Sequence, residues 1–166
     1  MSTFVTVNTY SHTVTYVAAK MLLSVKEVVR QIGLDPGQLT DDWFVLERGI
    51  STWLGTRHLE GVTLEVYDSA TDKLVTRWDF TVVYGYAGDG SLWVDTDAIS
   101  YHIAKAGTVP WRCKYRIVVS TSAGRPSVPG WSDTSFRSTE GFSRYGVGAT
   151  IGGNGIASQL AYWRRP

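Results

Sequence analysis

Residues 123–166 read AGRPSVPGWSDTSFRSTEGFSRYGVGATIGGNGIASQLAYWRRP. This stretch holds eight of the seventeen glycines and three of the five prolines. It has no lysine, yet it carries Arg125, Arg137, Arg144, Arg164 and Arg165 against only Asp133 and Glu140. Trp131, Phe136, Phe142, Tyr145, Tyr162 and Trp163 are scattered through it without helical spacing. Disordered tails are poor in aromatics and rich in charge of one sign. The segment is therefore expected to be ordered by wrapping something: the domain in front of it, a partner, or both.

Working outward, 166 residues make one domain with room for a real core. A 43% apolar and 19% charged composition is ordinary for a globular chain. The net charge of +1 argues for neither nucleic acid nor a membrane surface as partner. The charge is split: residues 1–122 carry 11 basic and 13 acidic side chains, residues 123–166 carry 5 and 2, which favours weak attraction of tail to body. The single cysteine, Cys113, permits no internal disulfide. No basic segment followed by an apolar run opens the chain, and no stretch approaches the roughly 20 apolar residues of a membrane span. A cytosolic protein is expected. Seven tryptophans are unusual and suit both a core and a recognition surface.

Residues 1–12 are polar, with Phe4, Val5 and Val7 in loose alternation: a short edge strand or a mobile arm. Val14, Ala18, Met21, Val25, Val28 and Ile32 then recur at helical spacing, with Val17, Leu22, Leu23 and Val29 widening the stripe. Ser11 or Thr13 is the expected cap, and Gly33 with Asp35-Pro36 the stop. A second helix is expected from a Thr40 cap to Gly55, burying Trp43, Leu46, Ile50, Trp53 and Leu54, with Gly49 marking a close contact. The period then changes to two. Val62, Leu64 and Val66 predict a strand with one buried face; Trp78, Phe80, Val82, Tyr84 and Tyr86 predict another. A short helix fits Thr96 to Ala106, and Cys113, Tyr115, Ile117 and Val119 face one way on a third strand. Placing the first strand between the other two gives an α+β fold, a three-stranded mixed sheet with helices on one face. Strand 112–120 is then an open edge, a liability unless something covers it.

No catalytic constellation appears. There is no G-x-S-x-G elbow and no Walker loop; Gly152-Gly-Asn-Gly155 lacks the lysine, and the G-x-G of Gly146 and Gly148 stands alone. His12, His58 and His102 are never at ligand spacing. Asp89, Asp95 and Asp97 fail the calcium-loop rule, and Asp95 or Asp97 serves better as a helix cap. Cys113 reads as a small core hydrophobe. A binding protein without cofactor or metal is expected, rather than an enzyme.

The strings KMLLSVKEVVRQIGLDP (20–36), RGISTWL (48–54), WVDTDAISYHIAKAG (93–107), GRPSVPGWSDT (124–134), RSTEGF (137–142) and TIGGNGIASQLAYWRR (150–165) resemble the bacterial HORMA-domain proteins encoded in anti-phage CBASS operons. Such proteins stand beside a cyclic-oligonucleotide synthase (CD-NTase) and an AAA+ remodelling ATPase. The resemblance implies a single domain with an N-terminal arm (1–12), a core (13–122) of helices on a three-stranded sheet, and a C-terminal safety belt (123–166). In the closed state the belt wraps a short closure-motif peptide that adds as a strand to a sheet edge. The edge would be Arg112, Cys113, Lys114, Tyr115, Arg116, Ile117, Val118 and Val119. The gripping belt residues would be Arg125, Trp131, Phe136, Arg137, Phe142, Tyr145, Ile151, Tyr162 and Trp163. The closed protein would activate its synthase, and the ATPase would reopen it through Phe4, Val5 and Val7. Because the chain stops just after its last strand-like string, the peptide is expected from another protein.

Three other readings stay open on the residues. The tail also fits a fixed closing hairpin, Thr150-Ile151 pairing with residues up to Trp163. Trp93, Trp131 and Trp163 in a row would suit a carbohydrate-binding module. Arg137, Arg144, Arg164 and Arg165 are either solvated surface or contacts for an acidic partner.

Overall fold

The computed structural model describes residues 2–5 and 8–166. The predicted apolar stripe becomes helix α1 (Tyr10–Gln31), and Val14, Ala18, Met21, Val25, Val28 and Ile32 are all buried along it. It starts earlier than expected. Thr9 is the cap: its hydroxyl accepts from His12 N at 3.3 Å, while Thr9 N donates to His12 Nδ1 at 3.4 Å. Residues 10–12 therefore belong to the helix, not to an arm. Val17, Leu22 and Val29 are buried, but Leu23 faces out. Past the end, Gly33 takes φ 97°, a left-handed turn that glycine adopts without strain.

The single second helix expected from Thr40 is two. Asp35 accepts from Gly37 N at 2.9 Å and starts a short helix, α2 (Gly37–Asp41), inside which Thr40 bonds back to Pro36 O. The main helix, α3 (Trp43–Gly55), follows after Asp42 and buries Leu46, Ile50, Trp53 and Leu54. Next come β1 (Leu59–Asp68), β2 (Leu74–Tyr86), the two-residue β3 (Trp93–Val94), α4 (Thr96–Ala106), β4 (Cys113–Thr121), β5 (Ser143–Gly152) and β6 (Gly155–Arg164). The helix at 96–106 matches its prediction. Asp95 caps it, accepting from Ala98 N at 3.0 Å. Asp95→Ala is expected to destabilise the protein by about 1 kcal/mol, seen as a lower urea midpoint with an unchanged m-value.

The sheet order is β3-β5-β6-β2-β1-β4, and every neighbouring pair is antiparallel. The three predicted strands form one end, with β1 between β2 and β4. Those two, joined through α4, run parallel to each other across it. The expected three-stranded mixed sheet is thus six-stranded. The tail contributes the β5–β6 hairpin, and β3 is too short for periodicity to reveal. The core cluster joins α1, α3 and α4 to the sheet around Trp53, Trp78, Tyr162, Phe80 and Met21. Trp78, Tyr162 and Tyr145 stack across three strands, with ring centroids 4.6 and 5.3 Å apart.

One expectation about β1 fails. Its second face is not solvated: Thr63 and Glu65 are buried, Glu65 completely. Thr63 donates to Asp79 Oδ1 of β2 at 2.8 Å, and what covers Glu65 is the chain after β4. No helix among the described residues is long and apolar enough to cross a membrane.

Candidate binding site at the β4 edge

Leaving β4 at Thr121, the chain first runs along the helical side. Trp53 donates its indole N–H to Pro126 O (2.8 Å), Arg125 lies over the Trp53 ring, and Val128 is buried. Trp131 then seats on α3. Its Nε1 donates to Val45 O (3.2 Å), its ring meets Trp53 edge-on, and its Nε1–Cε2–Cζ2 side abuts Gly49. A Cβ at Gly49 would stand 2.5 Å from Trp131 Cε2 and 2.7 Å from Cζ2. The close contact expected at Gly49 is this one.

Residues 132–135 cross the outer edge of the sheet. Arg116 of β4 donates to Thr134 Oγ1 at 2.9 Å and to Ser135 O. On the far face, Phe136 lies under the Arg77 guanidinium, and Arg137 reaches Glu65. The Glu65 carboxylate accepts from Arg116 Nε (2.6 Å), Arg137 Nη1 (3.0 Å) and Arg137 N (2.7 Å). Arg137 also donates to Asp72 Oδ1 (2.8 Å) and stacks on Tyr67. Burial opposes the charge on Arg137, but Asp72 and Glu65 outweigh it and hold the guanidinium above its ordinary pKa. So one buried acid, carried by β1, ties an arginine of the edge strand to an arginine of the crossing segment.

Segment 122–142 thus starts on one face, bridges the free edge of β4, and returns across the other face to β5. Beneath the bridge run two connected grooves. One, of about 420 Å³, lies among Asp42, Val45, Leu46, Arg116, Ile117 and Gly130–Thr134; the other, of about 260 Å³, lies among Trp53, Val119, Thr121, Arg125 and Trp131–Thr134. Among the described residues no strand pairs with the outer side of β4.

The predicted edge residues fall as follows. Arg112 precedes the strand and pairs with Asp68 at 2.9 Å; the backbone N–H of Ala70, and then Arg112, hold the Asp68 carboxyl below its usual range. Cys113 and Tyr115 are buried on the helical face, where Tyr115 Oη donates to Asp35 O (2.8 Å) and accepts from Leu39 N (3.2 Å). Burial first, then the charges of Asp35, Asp42 and Asp41, raise the Tyr115 pKa. Lys114 is exposed, Ile117 and Val119 are half-buried, and Val118 is buried.

The predicted gripping residues divide. Arg125 and Trp131 lie beside β4, Arg137 is tied to it through Glu65, and Phe136 lies farther in, under Arg77 of β2. Tyr162 and Trp163 pair the hairpin with β2, Tyr145 stacks on Tyr162, Ile151 opposes Val94 of β3, and Phe142 packs under Arg165. The Thr150-Ile151 hairpin does form, with Ile151 opposite Ser158. Arg137 is no solvated surface residue, because Glu65 and Asp72 hold it. Trp93 and Trp163 sit opposite Gly152 and Arg144 of β5, eight residues or roughly 27 Å apart. With Trp131 on α3, the three make no row. Phe4 and Val5 are exposed, and Val7 lies outside the described residues. Sequence reasoning missed Glu65, which sits among valines at the spacing of a solvent-facing residue. It also missed Asn8, which donates to Gly90 O and accepts from Asn154 Nδ2 (2.9 Å) in the β5–β6 turn.

Solved structures share this fold at low sequence identity. A C. elegans HTP-2 bound to the HIM-3 closure motif superposes with a TM-score of 0.75 at 11% identity, covering 98% of this chain and 94% of that one. A chain of the mitotic checkpoint complex gives 0.70 at 12%, covering 90% and 97%. The E. coli MS115-1 CdnC:HORMA-deltaN complex gives 0.63 at 11%, covering 98% and 94%. No curated protein matches by sequence. The family described as bacterial HORMA domain 2 matches residues 1–166, the full span of this helix-backed sheet and its edge-crossing segment. The chain is a member of the bacterial HORMA domain 2 family.

Proposed function

We propose that this protein is a peptide-binding signalling adaptor, not an enzyme. A closure-motif peptide from another protein adds as a strand to β4, beneath residues 131–134. The peptide-bound, closed form binds and activates a cyclic-oligonucleotide synthase of the CD-NTase class in cytoplasmic anti-phage defence. An AAA+ ATPase reopens it by engaging the N-terminal residues. In this reading the handle ends at Thr9, where α1 begins, rather than at residue 12; residues 10–122 are the core and 123–166 the safety belt.

The observation that carries the reading is a free strand edge already bridged by its own chain. Strand addition takes affinity from main-chain hydrogen bonds and specificity from pockets for alternate side chains, and both grooves open beside that edge. The HTP-2 and CdnC structures support the two partner classes through a shared fold. The Asn8–Asn154 clip supports the handle, since it joins the first residues to the hairpin turn. A ligand shifts a two-state segment only by its preference for one state, so peptide must stabilise the bridged form. The expected result is that a binding peptide, selected from a library, slows trypsin cleavage after Arg137 by at least tenfold. It should also make the protein stimulate its synthase. Binding that leaves cleavage in 122–142 unchanged would overturn the belt.

A further inference from the structure

We infer that the peptide this site takes has a fixed charge order: a basic side chain opposite Tyr115, an apolar one opposite Ile117, and an acidic one opposite Val119. The inference rests on the peptide-binding reading and names the chemistry of its ligand.

Alternate residues of a strand share a face and stand about 7 Å apart. Tyr115, Ile117 and Val119 all point to the helical side, so a strand added to β4 presents every second side chain to the same wall. That wall changes along its length. At the Tyr115 end Asp42 lines the groove, and Tyr115 Oη, donating to Asp35 O and accepting from Leu39 N, holds the acidic segment Asp35–Asp42 against the strand. The nearby cations are engaged elsewhere: Arg112 with Asp68, and Arg116 with Glu65, Thr134 and Ser135. Lys114, whose side chain alternates to the other face, is the remaining cation of that end.

In the middle, Ile117, Val45, Leu46 and Trp131 form the apolar part of the groove. At the Val119 end Arg125 lies 5.0 Å over the Trp53 ring. Its present partner is Asp133 at 3.3 Å, whose side chain is 98% exposed. Such an exposed pair contributes little, so a peptide carboxylate entering the more enclosed groove can displace Asp133. Reversed charges would meet like charge at both ends, a strong source of selectivity.

The test uses the full chain and fluorescent nonapeptides with a central leucine. Lysine, alanine or glutamate is placed two residues to either side of the leucine, in both orders. The wild type is expected to prefer one order, lysine on one flank and glutamate on the other, by at least tenfold over the reversed order. Asp42→Lys should convert only the lysine flank to glutamate preference. Arg125→Glu should convert only the other flank. Arg125→Gln, should the reversal impair folding, should abolish selection at that flank alone. Peptides that bind and protect residues 122–142 with flank preferences unchanged by these substitutions would overturn the charge order while the peptide reading stands. A full library yielding no protecting peptide would overturn both.

Discussion

Glu65→Ala is expected to destabilise the protein by about 3–5 kcal/mol and to release residues 132–142 from the sheet. Glu65 is wholly buried and accepts from two guanidinium groups and one backbone N–H. Removing one member of a buried ion cluster costs more than forming it gains, because the remaining charges keep their desolvation penalty. Here the remaining charges are not equally trapped. The Arg116 side chain is 31% exposed and can turn to water, whereas Arg137 is 17% exposed and still has Asp72. The loss should therefore fall near the low end of the range and be local. In urea the midpoint drops, and in trypsin Arg137 becomes the earliest cleavage site. Glu65→Gln keeps the shape but not the charge and should behave similarly. If Arg137 resists trypsin in both variants as in the wild type, Glu65 is not what holds the crossing segment.

Gly49→Leu is expected to weaken peptide binding by at least tenfold, with a net stability loss of no more than about 2 kcal/mol. A leucine improves helix propensity over glycine by nearly 1 kcal/mol. Its Cβ alone would overlap the Trp131 ring, and overpacking of this kind costs about 1–3 kcal/mol. The contact lies between a helix anchored in the core and an irregular segment, so the segment gives way. Trp131 leaves its seat, and the roof over both grooves goes with it. Trp131→Ala should reproduce the binding loss from the other side of the contact. A Gly49→Leu protein that binds its peptide as tightly as the wild type would show that Trp131 has no part in the grip.

The regular frame was legible because its signals are local. The α1 stripe, the alternation in β1 and β2, and the cap and stop of α4 each depend on residues a few positions apart. Gly49 was also legible, since a glycine inside a helix needs a reason and Trp131 supplies it. Local chemistry misled at Thr40, because the Asp35 side chain, five residues earlier, starts a separate helix at Gly37. What failed was everything set by a distant partner. Glu65 has the spacing of a solvent-facing strand residue. It is buried only because Arg137, seventy-two positions later, arrives on that face. The division of the tail aromatics was hidden for the same reason: Trp131 goes to α3, whereas Tyr145 stacks on Tyr162 and Tyr162 on Trp78, across strand pairs that no short window contains.

The course of segment 122–142 also has a kinetic consequence. It leaves the sheet at β4 and rejoins it through a hairpin zipped to β2 from Arg77–Trp163 to Tyr86–Gly155. A peptide lying between β4 and residues 131–134 is therefore encircled by covalent chain closed with a strand ladder. A free short peptide can thread out lengthwise, but one with a folded domain at each end cannot. Its dissociation has to wait until the hairpin detaches from β2. Residence time is then limited by the unzipping of β6, and not only by how well the peptide fits its grooves.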